Sequence, residues 1–223
     1  MRLVLATMLV ASGLAVGCMS LVAAHADPET CPPVCDRIPD TAWISSSGIP
    51  LNSTYRWPSL AGVAAPMTGT ATPRFRFEEV CATPAFPQDT RNSAVAGRAT
   101  VTNAGGQWQL QAQVLHWRGD TARGGDNASS VLDVAAAALR GCQLGAAAES
   151  PSVTTDEPNR LAAVISGPVI THTYLVAHPE NSTISELTLW SSDPPQVPWP
   201  VISDAQVLDA IASPVCAAYI GSC

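Results

Sequence analysis

The chain has 223 residues, and 18 acidic side chains outnumber 11 cationic ones, which gives a net charge of −7 at pH 7. An acidic chain is repelled by the phosphates of DNA and RNA, so nucleic acid is disfavoured as a partner. Every cation is an arginine. Because the sequence contains no lysine, Schiff-base catalysis and phosphate binding by a P-loop lysine are excluded.

The first 26 residues have the pattern of a secretory signal peptide. Arg2 precedes an apolar run, and Ala24-His25-Ala26 places small residues where a signal peptidase cleaves. Lipid attachment at Cys18 is one alternative, and retention of the run, about 20 residues long, as a membrane anchor is another. We favour cleavage after Ala26, which removes Arg2 and leaves a mature chain of net charge −8 without a transmembrane segment. The expected location is secreted or in the cell envelope.

The mature chain, residues 27–223, has the length of a single domain. Residues 27–90 hold ten of the nineteen prolines and show no sustained period, so this part is predicted to be an extended Pro-rich arm with short strands, one of them at Phe75–Val80. Residues 91–223 carry clearer patterns and form the predicted core.

Six cysteines remain after cleavage, and an even number in an exported chain predicts a disulfide framework. The Cys31-Pro-Pro-Val-Cys35 spacing does not match a thioredoxin-like motif, and we interpret this pair as structural rather than as half of a zinc site. Three cysteines lie in the arm and three in the core, so complete pairing requires at least one bridge between the two parts. The six are Cys31, Cys35, Cys81, Cys142, Cys216 and Cys223.

A β-hairpin is predicted to open the core. Residues 107–117 alternate apolar side chains with glutamines, which indicates a half-buried strand. Residues 94–102 pair with it across the turn Asn103-Ala104-Gly105-Gly106. After a loop over Gly119–Asp126, Asn127 is expected to cap a buried helix from Ala128 to Arg140 that Gly141 ends.

Three strands are predicted next, at Arg160–Ser166, Val169–Ala177 and Ile184–Trp190, with turn residues between them that favour an antiparallel meander. A capping box, Ser203-Asp204-Ala205-Gln206, starts a last helix, which Pro214 is expected to kink or divide. The predicted fold class is therefore α+β: an antiparallel sheet, made of a hairpin and a three-strand meander, packed with two helices and stapled by disulfides.

One group of side chains could line a ligand cleft. His172 and Tyr174 share a face of their strand, and Glu186 and Trp190 share a face of the next. The alternative is that these are ordinary half-buried members of a sheet face. The sequence contains no G-x-S-x-G, H-E-x-x-H or C-x-x-C motif, so no catalytic residue, metal site or cofactor is predicted. If the protein is a hydrolase, His116, His172 and Glu186 are the first candidates for its site.

The junction Ala24-His25-Ala26-Asp27-Pro28, the lysine-free Ala/Pro-rich composition and the early cysteine pair resemble small exported proteins of actinobacteria, especially mycobacteria. Residues 152–223, strands followed by a cysteine-bearing helix, resemble the extracellular sensor domains of mycobacterial Ser/Thr kinases of the PknH type. That resemblance implies a disulfide-stapled antiparallel sheet flanked by helices, with a ligand cleft; the Pro-rich arm lies outside it.

These features lead us to expect an exported, non-catalytic protein of the cell envelope or extracellular space. Its expected role is to bind a small ligand, an envelope component or another protein. A secreted hydrolase whose site has no sequence motif is one alternative. A purely structural or antigenic envelope protein is another, and it predicts no well-formed pocket.

Overall fold

Seven strands form one antiparallel sheet in the part of the chain that the computed structural model describes, residues 36–68 and 72–219. Their spatial order is β1-β2-β3-β7-β6-β5-β4, so the predicted hairpin and meander join where β3 pairs with β7. The strands are β1 (Ala64–Pro66), β2 (Val95–Val101), β3 (Gln109–His116), β4 (Ser150–Glu157), β5 (Arg160–Ser166), β6 (Val169–His178) and β7 (Thr183–Ser192).

Two long helices and several short ones cover this sheet. The long ones are α4 and α6, and the arm contributes three single-turn helices. The helices are α1 (Asn52–Tyr55), α2 (Leu60–Val63), α3 (Arg76–Val80), α4 (Thr121–Arg140), α5 (Cys142–Gly145) and α6 (Asp204–Ala218). Short 3-10 turns lie at Asp40–Ala42, Ser46–Gly48, Thr90–Ser93 and Pro179–Asn181. The predicted α+β class is confirmed.

Both faces of the sheet are covered. Residues opposite one another on neighbouring strands share a face, so Tyr174 and Leu187 define what we call the first face, and Leu175 and Glu186 the second. Val207, Leu208 and Ile211 of α6 complete the apolar core on the first face. Val131, Leu132 and Leu139 of α4 do so on the second. The molecule therefore has three layers, with the sheet in the middle.

The Pro-rich arm wraps around the β1 edge and contributes to both cores. Trp43, Trp57 and Leu60 lie in the first-face core, whereas Phe75 and Phe77 lie in the second-face core. β1 joins the two parts by pairing with β2 at the edge of the sheet. The arm is thus an outer layer rather than a loose extension.

The strand predicted at Phe75–Val80 is wrong, because residues 76–80 form α3. The alternating Phe75-Arg76-Phe77 triplet suggests a strand. Glu78, however, accepts a hydrogen bond from the Phe75 backbone amide (2.7 Å), which satisfies a donor at the helix start.

The hairpin prediction is confirmed, with Gly97 opposite Val114 in the β2–β3 register. The expectation that this strand is half-buried is wrong: Gln111 and Gln113, on its polar side, are 7% and 0% exposed. The strand lies between β2 and β7 with a covering layer on each face, so neither side meets water.

The helix predicted from Ala128 to Arg140 begins earlier, at Thr121, with Asp120 as its N-cap accepting from the Arg123 amide (2.8 Å). Its end at Gly141 is as predicted. Gly124 and Gly125 suggested a loop, but they lie inside the helix, where the chain passes close by: a Cβ on Gly125 would lie 2.5 Å from the carbonyl oxygen of Pro179. Gly125 thus permits contact between two backbones, and Gly124 leaves room for the Ser182 side chain, so neither glycine ends the helix.

The three-strand meander is confirmed within one or two residues at each end. Sequence patterning missed β4, an edge strand that is largely exposed and has a register shift between Val153 and Thr155.

The last helix has the predicted capping box, but α6 runs through Pro214 undivided. Ile211 and Val215, on either side of the proline, are buried, and their packing offsets the one hydrogen bond that proline removes.

A disulfide joins the arm to the core. Cys81, at the end of α3, is bonded to Cys142, at the start of α5, across 61 residues of sequence. This is a bridge between the two parts of the kind that the cysteine count requires. Cys216 is disulfide-bonded as well, whereas Cys31, Cys35, Cys223 and the leader 1–26 lie outside the described residues. Within the described ranges, no helix combines the length and apolar character needed to cross a membrane.

We expect the Cys81→Ser/Cys142→Ser double variant to lower the free energy of unfolding. Opening a loop of this length restores denatured-state entropy worth about 4 kcal/mol. Urea denaturation of the oxidised proteins measures the difference, with Ser152→Ala on the exposed edge strand β4 as a control of unchanged stability. A loss below about 1 kcal/mol would contradict the view that this bridge holds the arm against the core.

Candidate functional site

The four residues predicted to line a cleft do not share a face of the sheet. His172 and Tyr174 lie opposite Leu189 and Leu187, on the first face. Glu186 and Trp190 lie on the second face. The sheet lies between the two pairs, so the four side chains cannot line one cleft, and each pair has its own surroundings.

On the first face, His172 belongs to a buried aromatic layer. Its ring stacks on Trp199 with centroids 3.7 Å apart and lies 5.7 Å from the ring of Trp108. Burial lowers the pKa of His172 to about 4, although the charge of Asp204 acts in the opposite direction. Burial, together with Asp204, raises the pKa of Tyr174. At neutral pH these side chains are uncharged packing elements.

On the second face, Glu186 is the centre of a buried hydrogen-bond network. Its Oε1 accepts from the Arg76 backbone amide (2.7 Å) and from the Thr188 hydroxyl (3.0 Å), while Oε2 accepts from Gln111 (3.3 Å). Burial raises the pKa of Glu186 to about 7; these hydrogen bonds and the charge of Arg98 limit the rise. The network fastens the arm to the sheet, and the Arg76 guanidinium lies 4.7 Å from the centre of the Trp190 ring.

The candidates for a hydrolase site are also far apart. His116 lies on the first face, where its Nδ1 is 3.1 Å from the Thr183 hydroxyl and its ring stacks on Tyr219. His172 lies six positions further along the paired strands, about 20 Å away at 3.3 Å per residue. Glu186 is on the opposite face. The three side chains therefore cannot act on the same atom.

A cavity that sequence analysis did not find lies between α4 and the arm, beside the loop that precedes β2. It has a volume of about 50 Å³. We call it the Arg91 pocket. Its floor consists of three charged residues with buried side chains, Glu78, Asp89 and Arg91, and its apolar walls include Phe75, Phe86, Val131 and Val134.

The floor is a dense ion-pair cluster. The Arg91 guanidinium donates to both carboxylate oxygens of Glu78 (2.6 and 2.9 Å). It also donates to both oxygens of Asp89 from Nε (2.9 Å each) and to Oδ2 from Nη2 (2.6 Å). Burial lowers the pKa of Arg91, but the hydrogen bonds and charges of the two acids outweigh it, and the pKa is raised. Bidentate pairing of this kind fixes geometry as well as charge.

The rim of the Arg91 pocket exposes large apolar side chains. Phe86 is 59% exposed and Val134 is 46% exposed, and both border the same opening. Phe86 stands between Pro84 and Pro87 in a loop that begins one residue after the disulfide and ends at the ion-pair cluster. The structure thus displays an aromatic side chain in solvent beside a fixed, charged floor.

Other depressions on the described surface are wider and more polar. One of about 540 Å³ lies beside Arg118 and Arg123, where Arg118 already forms an ion pair with Asp36. Another, of about 290 Å³, lies at the β4–β5 turn beside Asp133. Neither combines exposed apolar side chains with buried charges. Among the described residues, no group of three or more side chains is arranged to ligate a metal ion.

The Arg91 pocket has no signature in the sequence. Its residues come from α3, from the loop around Phe86 and from α4, and only the folded arm brings them together. A phenylalanine between two prolines, Phe86 between Pro84 and Pro87, is the one local feature that could have drawn attention to it.

No protein-family model matches this chain, and neither the curated proteins nor the solved structures contain a significant match.

The raised pKa of Glu186 predicts a pH-dependent effect of Glu186→Gln. Between pH 4.5, the ordinary pKa, and pH 7, the folded protein keeps a proton that the unfolded chain loses, so the wild type loses stability as the pH rises through this window. Glutamine resembles the protonated form at every pH. We therefore expect the stability of the variant relative to wild type to rise by about 3 kcal/mol between pH 4 and pH 8.

Urea denaturation of both proteins at the two pH values measures this change, and titration of the histidines cancels in the comparison. The matched control is Glu157→Gln, an exposed glutamate at the end of β4. A relative stability of Glu186→Gln that is the same at pH 4 and pH 8 would show that Glu186 has the same pKa in the folded and unfolded protein, which would contradict the prediction.

Proposed function

We propose that this is an exported, non-catalytic protein that binds a partner in the cell envelope or outside the cell, and that the Arg91 pocket is its recognition site. The observation that carries the proposal is the pairing of an exposed aromatic and aliphatic rim with a buried charged floor. Binding sites combine apolar walls with a few fixed polar groups, and exposed apolar patches mark interaction surfaces.

The proposed location rests on two features. The leader has the pattern of a signal peptide. The Cys81–Cys142 disulfide is of the kind that persists in oxidising compartments, and so suits a protein outside the cytoplasm. The resemblance of the junction and composition to exported actinobacterial proteins supports an envelope setting.

The alternatives have less support. A hydrolase built from His116, His172 and Glu186 would need side chains that the sheet holds on opposite faces. A purely structural protein predicts no formed pocket, whereas the Arg91 pocket has a floor fixed by five hydrogen bonds from the Arg91 side chain. A fixed site without an assembled catalytic group favours binding.

Site-specific photocrosslinking in the native host tests the proposal. Phe86 is replaced by p-benzoylphenylalanine, and the matched control carries the same residue in place of Val201, an apolar side chain that is fully exposed elsewhere. We expect illumination to give a discrete adduct from position 86 that position 201 does not give, with mass spectrometry identifying the attached component. No adduct at position 86, or the same adducts from both positions, would overturn the proposal.

A further inference from the structure

We infer that the Arg91 pocket takes the positively charged end of a lysine or arginine side chain from a different protein. This inference rests on the proposed function and names the chemistry of its partner. Four observations lead to this inference: the charge, the aromatic walls and the size of the pocket, and the composition of the chain.

The charge of the floor is negative. Two carboxylates, Glu78 and Asp89, face one guanidinium, so the cluster has a net charge of −1, with all three side chains no more than 7% exposed. Arg91 already donates from Nε, from Nη1 and twice from Nη2, so four of its five N–H groups are engaged. An incoming anion would meet a neutralised arginine and an excess carboxylate. A cation is attracted, and more strongly here than in water because the site is partly shielded from solvent.

The walls suit a cation that is carried on an aliphatic stem. The face of an aromatic ring attracts ammonium and guanidinium groups, and Phe86 is the exposed aromatic at the opening. Phe75 already interacts in this way, since its ring centre lies 5.0 Å from the Arg91 guanidinium. Val131 and Val134 of α4 offer apolar contact to the methylene groups of a long side chain.

The size excludes a whole small molecule. Pockets for drug-sized ligands enclose roughly 300–1,000 Å³, whereas this one holds about 50 Å³. That volume is close to the head group of one side chain. Useful affinity must therefore come from additional contacts around the rim, and only a larger molecule that projects a side chain into the pocket can make them.

The composition argues against a second copy as the occupant. The chain contains no lysine, so a copy could offer only an arginine. Two copies, each with a net charge of −7 or, without the leader, −8, would also repel one another on approach. A foreign protein with a basic surface is attracted by the same charge.

Amide chemical-shift titration by NMR tests the inference with probes that mimic side-chain ends. The probes are n-butylammonium and N-propylguanidinium, and n-butyrate is a control of similar size and opposite charge. We expect both cations to shift the amides of residues 86–91 and 130–135 saturably, with Kd on the order of 1–10 mM, and butyrate to leave them unchanged.

Asp89→Asn keeps an oxygen to cap the Arg91 amide but removes the excess charge, and should weaken cation binding about fivefold.

Asp133→Asn is the matched control, because Asp133 is an exposed acid on α4 that lies outside the Arg91 pocket. Should Asp89→Asn fail to fold, Phe86→Ala, at an exposed position, provides the comparison and should weaken the cations about threefold. The inference would be overturned if butyrate bound as tightly as the cations, or if the cations shifted only other amides. It would also be overturned if Asp89→Asn and Asp133→Asn weakened cation binding equally. If photocrosslinking at position 86 finds a partner while the cations fail, the proposed function stands and this inference does not.

Discussion

The middle strands of the sheet are buried on both faces, and the rest of the structure depends on that constraint. β3, β6 and β7 have almost no exposed residue. α4 and α6 are too few to cover two faces of seven strands, so the arm supplies the missing layers. It packs residues 43–60 on the first face, passes the edge at β1, and packs residues 75–81 on the second. A segment rich in proline can do this because it needs little regular structure of its own.

Burial of both faces also explains why polar and charged side chains lie inside. Glu186 and Gln113 lie on a face that would meet water if the strands were half-buried. Arg76 of the arm donates to the Glu186 carboxylate, and Arg98 of β2 donates to the side-chain oxygen of Gln113. The same arm places Glu78 opposite Arg91. The floor of the Arg91 pocket is therefore fixed before any partner arrives. A preformed site avoids the entropic cost of ordering side chains on binding, which favours recognition through few contacts.

Sequence patterning predicted the elements that carry a strong local period. β3 alternates clearly and turn residues separate the hairpin and meander strands, α4 has an apolar pattern that stops at Gly141, and α6 has a capping box, so these elements were found although the predicted start of α4 was wrong. It failed where tertiary contact decides the local structure: α3 forms in a segment that alternates like a strand, Gly125 lies inside a helix, and β4 is an exposed edge. The candidate cleft failed for a related reason. Alternation places His172 and Glu186 each on a face of its own strand, but only the pairing register shows that the faces differ.

Hydrogen–deuterium exchange of the oxidised protein, read by mass spectrometry, tests most directly that the arm is a structural layer of this fold. If the arm covers both faces, peptides spanning Trp43–Leu60 and Phe75–Val80 will exchange as slowly as those spanning β3 and β7, through global unfolding. Fast exchange of the arm peptides beside a protected sheet would contradict the account. It would mean that the second-face cover, and with it the Arg91 pocket, is not a fixed part of the molecule.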